Sequence, residues 1–218
     1  MLLQIPKYLD VVSPLLLLIF LFTRGNIKIS RDYIFWFIIA QFVLNLVAKI
    51  LFLQGKNNLV FYNINCIVSF LLISAFFWNI LHIKKKKFVI IGMAALFGLF
   101  CIFDYIKFED FRGEFNSNIY GVASFIMVTY CLIYYLEKLK FPSQDKITKS
   151  SNFWFVTGIL TYYSGCFFIF INFKTLSTTQ DLKNGILLLW QIQNVIFMIM
   201  FVYFFIGMLC KPYPGKSK

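Results

Sequence analysis

Residues 41–49 read QFVLNLVAK, inside an apolar run that extends from about 33 to 53. Gln41, Asn45 and Lys49 stand four apart, so on an α-helix they share one face. The run has the length, roughly 20 residues at ~1.5 Å of rise each, at which a helix crosses a hydrocarbon core. A polar stripe on such a helix must meet other protein or water, because an unpaired buried amide costs several kcal/mol in lipid. The stripe therefore implies both a membrane bundle and an interior polar surface within it.

The rest of the chain agrees. Of 218 residues, 60% are hydrophobic and 21% aromatic while only 14% are charged, too few charges for a soluble domain of this length. Mean hydropathy is +0.77. A net charge of +12 would suit nucleic acid, but the basic residues lie between apolar runs and not on an amphipathic surface, which is a pattern of membrane topology. No nucleic-acid partner is expected; the bilayer is. The excess of Lys over Arg, with abundant Phe, Ile and Asn, suits an AT-rich genome and a bacterial source.

Seven apolar runs are long enough to span: about 9–23, 33–53, 59–83, 88–106, 117–137, 152–172 and 185–210. The first is short and contains Pro14. It lacks a strongly basic start and an A-x-A cleavage site, so it reads as a span and not as a signal peptide. Basic residues gather on alternate connections: Arg24, Lys28 and Arg31; Lys84, Lys85, Lys86 and Lys87; Lys138, Lys140, Lys146 and Lys149; Lys211, Lys216 and Lys218. Asp10, Asp104, Glu109, Asp110, Glu114 and Asp181 fall on the other side. The expectation is a single all-α domain over 1–218, a seven-helix transmembrane bundle in a bacterial cytoplasmic membrane, with the N-terminus outside and the C-terminus cytoplasmic. Ser151 and Asn152 offer helix N-caps to the sixth span, and Pro142 marks the exit from the fifth.

With that orientation, the strongly polar intramembrane residues crowd the outer half. Asn45, Lys49, Asn63, Asp104, Tyr162, Gln191 and Asn194 form the expected ligand-binding set, around a polar cavity open to the outside. Tyr62, Tyr105, Tyr120 and Trp190 fit an interfacial aromatic belt, and the Asn and Gln side chains fit interhelical hydrogen bonding as well as ligand contact. Three fates are open to Lys49: snorkelling to the headgroups, pairing with Asp104 or Asp10, or contact with an anionic ligand. His82 reads as a solvated interfacial histidine. Lys84 to Lys87 read as a topology signal that also meets anionic lipid or a partner. Gly92, Gly98, Gly158, Gly165 and Gly207 fit close helix packing without a GxxxG spacing.

Several classes are excluded. The last span has no lysine to carry a retinal Schiff base. One histidine cannot build the metal site of a ceramidase-type hydrolase, and the five cysteines show no CxxC spacing. No GxSxG, HExxH or glycine-rich phosphate loop is present, so no enzymatic activity and no cofactor are expected.

The segments FYNINCIVSF, FNSNIYGVASFIMVTYCLIYYLEKL, NFWFVTGILTYYSGCFFIF and LWQIQNVIFMIMFVYFFIGMLC resemble those of small seven-span integral membrane proteins frequent in Bacteroidota, over roughly 59–210. Relatives of that kind occur near or fused to histidine-kinase modules, so the resemblance implies a sensory or regulatory role; it supplies no catalytic residues, and this sequence carries no kinase module. The leading expectation is a receptor-like component that binds an external ligand and signals through a cytoplasmic or membrane partner, read at 83–88 and 138–151. A small-solute transporter or channel, or an accessory subunit of a larger complex such as a stress or phage-defence assembly, is the alternative.

Overall fold

The computed structural model describes residues 6–23, 33–82, 84–107, 115–142, 146–178 and 183–210, with backbone alone at 84–86, 172–178 and 183–187. The loop charges Arg24, Lys28, Arg31, Glu109, Asp110, Glu114, Asp181, Lys211, Lys216 and Lys218 lie outside the described residues, as do Ile83 and 143–145 of the expected read-out segments.

Seven helices of membrane length are present among the described residues. They are α1 (Leu9–Thr23), α2 (Tyr33–Leu53), α3 (Leu59–Ile80), α4 (Lys84–Lys107), α5 (Ser117–Lys140), α6 (Ser151–Thr178) and α7 (Lys183–Leu209). The chain is an all-α, multi-pass membrane protein. Helix α4 begins at Lys84, so the lysine run forms its first turn and not a loop. A 3-10 turn, Ile147–Lys149, leads into α6.

Six helices close a ring in the order α1, α2, α3, α5, α6, α7, and α4 packs outside it against α3 and α5. Only 17% of the apolar window of α4 is buried, against 56% for α5. What holds α4 is specific: Phe70 of α3 stacks on Phe97 at 3.8 Å, and the buried Tyr130 hydroxyl of α5 donates to the Ile90 carbonyl. One end of the bundle, called here the N-terminal end, joins the start of α1 to the end of α2, and the starts of α3 and α5 to each other; Asn194, twelve residues into α7, also binds the start of α1. The opposite end joins the end of α3 to that of α5, and the start of α6 to the end of α7.

Lipid is as apolar as leucine, so burial alone does not drive these helices together; close packing and interhelical hydrogen bonds do. The half of the bundle toward the opposite end is aromatic, with Phe37, Phe76, Phe155, Phe201 and Phe204 in edge-to-face or tilted contact across α2, α3, α6 and α7. Helices α6 and α7 cross most tightly at two glycines. A Cβ on Gly158 would stand 3.0 Å from the Met200 carbonyl oxygen, and one on Gly207 would stand 2.7 Å from the Phe155 ring and 3.1 Å from the Ser151 carbonyl oxygen. Gly165 also meets Ile196 closely, whereas Gly92 and Gly98 have nothing within 4 Å and do not mediate packing. Ser151 is helical, not a cap: its hydroxyl donates to the Cys210 carbonyl and binds the start of α6 to the end of α7.

Candidate functional site

The polar stripe of α2 is resolved residue by residue. Proline at position 14 lacks the amide hydrogen that would reach the Asp10 carbonyl four residues earlier. That carbonyl accepts instead from Asn45 Nδ2, at 3.1 Å. One turn further along α2, Lys49 Nζ donates to the Lys7 carbonyl at 2.7 Å and lies 4.5 Å above the Tyr8 ring. From α7, Asn194 Nδ2 donates to the Pro6 carbonyl at 3.0 Å. Three side chains from two helices thus bind three carbonyls at the start of α1, one of which, that of Asp10, Pro14 leaves without its helical donor.

The stripe faces α3 as well. Gln41 Nε2 donates to Asn65 Oδ1 (2.7 Å) and Ser69 Oγ (2.6 Å), while Asn65 Nδ2 donates back to Gln41 Oε1 (3.1 Å) and to Asn45 Oδ1 (3.2 Å). Gln41, Asn45, Asn65 and Ser69 are all buried. Two pairs of polar residues, each at i and i+4, meet across adjacent antiparallel helices.

Against this network lie two adjoining spaces of about 20 Å³ each, which share Gln41, Asn65, Tyr120, Tyr162 and Phe197 in their walls. The more polar one is also lined by Asp10, Asn45, Tyr62, Trp190, Gln193 and Asn194. Each has room for about one water molecule. Gln193 Nε2 donates to the Tyr162 hydroxyl at 3.3 Å, and its buried Oε1 has no hydrogen-bond partner.

No protein-family model, curated protein or solved structure matches the chain. The functional reading therefore rests on geometry.

The seven residues of the expected ligand set divide into separate groups. Asn45, Tyr162 and Asn194 line one cavity together. Lys49 stands beside it, anchored to α1; among the described residues no ion pair joins it to Asp10 or Asp104. Asp104, 2% exposed, belongs to a second polar knot: its carboxylate accepts from Asn116 Nδ2 (2.7 Å) and Asn118 Nδ2 (3.1 Å). Asn116 caps α5 by accepting from the Ile119 amide, and its own amide donates to Asn63 Oδ1. A buried carboxylate at a helix N-terminus is electrostatically favourable, and here it joins α4 to α5 and α3. Gln191 is buried but lines neither space.

At the opposite end, the His82 amide donates to Glu137 Oε1 at 2.9 Å, and Glu137 is 4% exposed. His82, Glu137, Lys138 and Phe141 line a crevice of about 260 Å³. The carboxylate sits just ahead of the first turn of α4, where four lysines oppose the helix dipole, and supplies the negative charge that a helix start favours. Lys87 lies 5.2 Å above the Trp78 ring. The side chains of Lys84, Lys85 and Lys86 lie outside the described residues. Glu137, the last residue of the expected fifth span, is not among the residues expected to act. Gln193, Asn116, Asn65 and Ser69 are not among the candidates expected from the sequence.

Proposed function

We propose that this protein is a receptor-like sensory or regulatory component of a bacterial cytoplasmic membrane, oriented with the N-terminal end of its bundle outside. A small polar ligand acts at the cluster formed by Asn45, Asn65, Tyr162, Gln193 and Asn194, with Lys49, Asn63, Asp104 and Gln191 as its surround. The observation that carries this reading is the distribution of polarity. Amide side chains from α2, α3 and α7 converge on a cavity in the half of the bundle toward the N-terminal end, and the half toward the opposite end is filled by aromatic packing. That plug argues against a solute path through the monomer, since a pore needs polar groups at every depth.

Cavities of one-water size mean that a larger ligand enters by separating helices, so its binding energy must favour a more open bundle. Helix α3 offers a route to the other face: it carries Asn65 and Ser69 at the cluster, and the turn after it donates the His82 amide to Glu137. A partner reads the change at the crevice beside Lys138 and the lysine turn of α4. The test is thermal unfolding of the purified chain, in choline chloride, against a panel of small polar solutes (amino acids, sugars, organic acids). One class should raise the Tm, with the shift lost in Asn45→Leu. No shift from any class, or flux of a solute through proteoliposomes, overturns the reading.

A further inference from the structure

The amide donors around the polar cavity are spent within the protein. Asn45 Nδ2 goes to the Asp10 carbonyl, Asn194 Nδ2 to the Pro6 carbonyl, Asn65 Nδ2 to Gln41 and Asn45, and Gln193 Nε2 to Tyr162. One amide oxygen and one carboxylate remain for an occupant. Gln193 is 9% exposed, its Oε1 is buried without a hydrogen-bond partner, and the residue lines the cavity. Asp10, 6% exposed, lines the same cavity, and its carboxylate accepts main-chain hydrogen bonds from the Val11 amide and from its own amide. Lys49, the cation that acts electrostatically on Asp10, spends its ammonium on the Lys7 carbonyl and does not line the space.

A buried space with one carboxylate and one uncommitted neutral oxygen favours an occupant that is positive or donates hydrogen bonds, and disfavours an anion. Its volume of about 20 Å³ admits one particle of water size. A hard cation takes oxygen ligands, and a divalent one is ordinarily matched by more than one carboxylate; among the described residues no three His, Cys, Asp or Glu side chains converge. We infer that this cavity binds a single monovalent cation of the size of Na⁺, held by the Asp10 carboxylate and Gln193 Oε1. The bound cation joins α1 to α7 across the cluster and sets the closed packing that the polar ligand opens. This inference rests on reading the cluster as a ligand site.

The experiment is thermal unfolding of the full chain in lipid nanodiscs, titrated with NaCl against choline chloride at constant ionic strength and without added solutes, alongside ²³Na NMR line broadening. Wild type should show a saturable rise in Tm with Na⁺ and broadening of the ²³Na signal. Gln193→Leu should weaken the apparent affinity by about tenfold, the scale of one lost polar contact, and Asp10→Asn should abolish it. If either variant fails to fold, the other together with the ²³Na signal of wild type decides. Equal Tm in NaCl and choline chloride, or a Na⁺ effect unchanged in both variants, overturns the inference and identifies the occupant as water. A polar solute that shifts Tm while Na⁺ does not removes this inference alone. A Na⁺ effect with no effective solute supports it and removes the receptor reading instead.

Discussion

Asn45 completes the main-chain hydrogen bonding of Asp10: its Nδ2 lies 3.1 Å from the carbonyl that Pro14, without an amide hydrogen, cannot satisfy. A proline that looked like a weakness of the first span is thus matched by a polar residue on the second. Restoring the helical donor should make Asn45 less necessary. Asn45→Leu is expected to destabilise the bundle by about 1–2 kcal/mol, and by measurably less in a Pro14→Ala background. A double-mutant cycle on unfolding in mixed micelles gives the coupling; full additivity would show that the two residues are independent.

The Gln41–Asn65 pair exchanges hydrogen bonds in both directions. Asn65→Leu alone takes the Asn65 donor from Gln41 Oε1 and Asn45 Oδ1 in the interior and should cost about 1–3 kcal/mol. Gln41→Met combined with Asn65→Leu removes both partners and should recover part of that loss. A double variant weaker than the sum of its singles would contradict this account.

Glycine should matter where α6 meets α7 and nowhere on α4. Gly207→Ala drives a methyl into the Phe155 ring and the Ser151 carbonyl, with an expected cost of about 1–3 kcal/mol from overpacking. Gly92→Ala and Gly98→Ala, with nothing within 4 Å, should stay within about 0.5 kcal/mol of wild type or gain slightly in helix propensity. Unfolding of the three variants side by side checks the ranking.

The existence and approximate extents of the seven helices were legible because length and apolarity suffice for a membrane span. The four-residue spacing also told correctly that Gln41, Asn45 and Lys49 share a face. Which faces of the other helices point inward was not legible. In lipid both the buried and the exposed side of a helix are apolar, so no amphipathic stripe marks the interior. Leu71 and Phe70 are adjacent, yet one is 57% exposed and the other 1%. For that reason Asn63 and Asp104 were grouped with Asn45 by depth, although rotation about the helix axes assigns them to a different knot around Asn116. The anchoring of α1 was hidden for another reason: the groups that Asn45, Lys49 and Asn194 bind are the main-chain carbonyls of Asp10, Lys7 and Pro6, which side-chain identity does not reveal.

The proposed orientation makes a direct prediction. In a background with the five native cysteines replaced by alanine, Asn57→Cys, in the α2–α3 turn, should react with a membrane-impermeant maleimide on intact cells. Lys149→Cys, in the turn before α6, should react only after permeabilisation. The reverse pattern would invert the topology and with it the assignment of the polar cluster to the outside.

Coupling between the two ends is the core of the proposed function, and hydrogen–deuterium exchange at the His82 amide tests it without knowledge of the ligand. Asn65→Leu opens the polar cluster; Leu71→Ala, on the exposed face of the same helix, is the control. The account predicts faster exchange at His82, whose amide is held by Glu137 at the far end of α3, in Asn65→Leu and not in Leu71→Ala. Loss of protection confined to the residues around Gln41 and Asn45, with His82 unchanged, would contradict it.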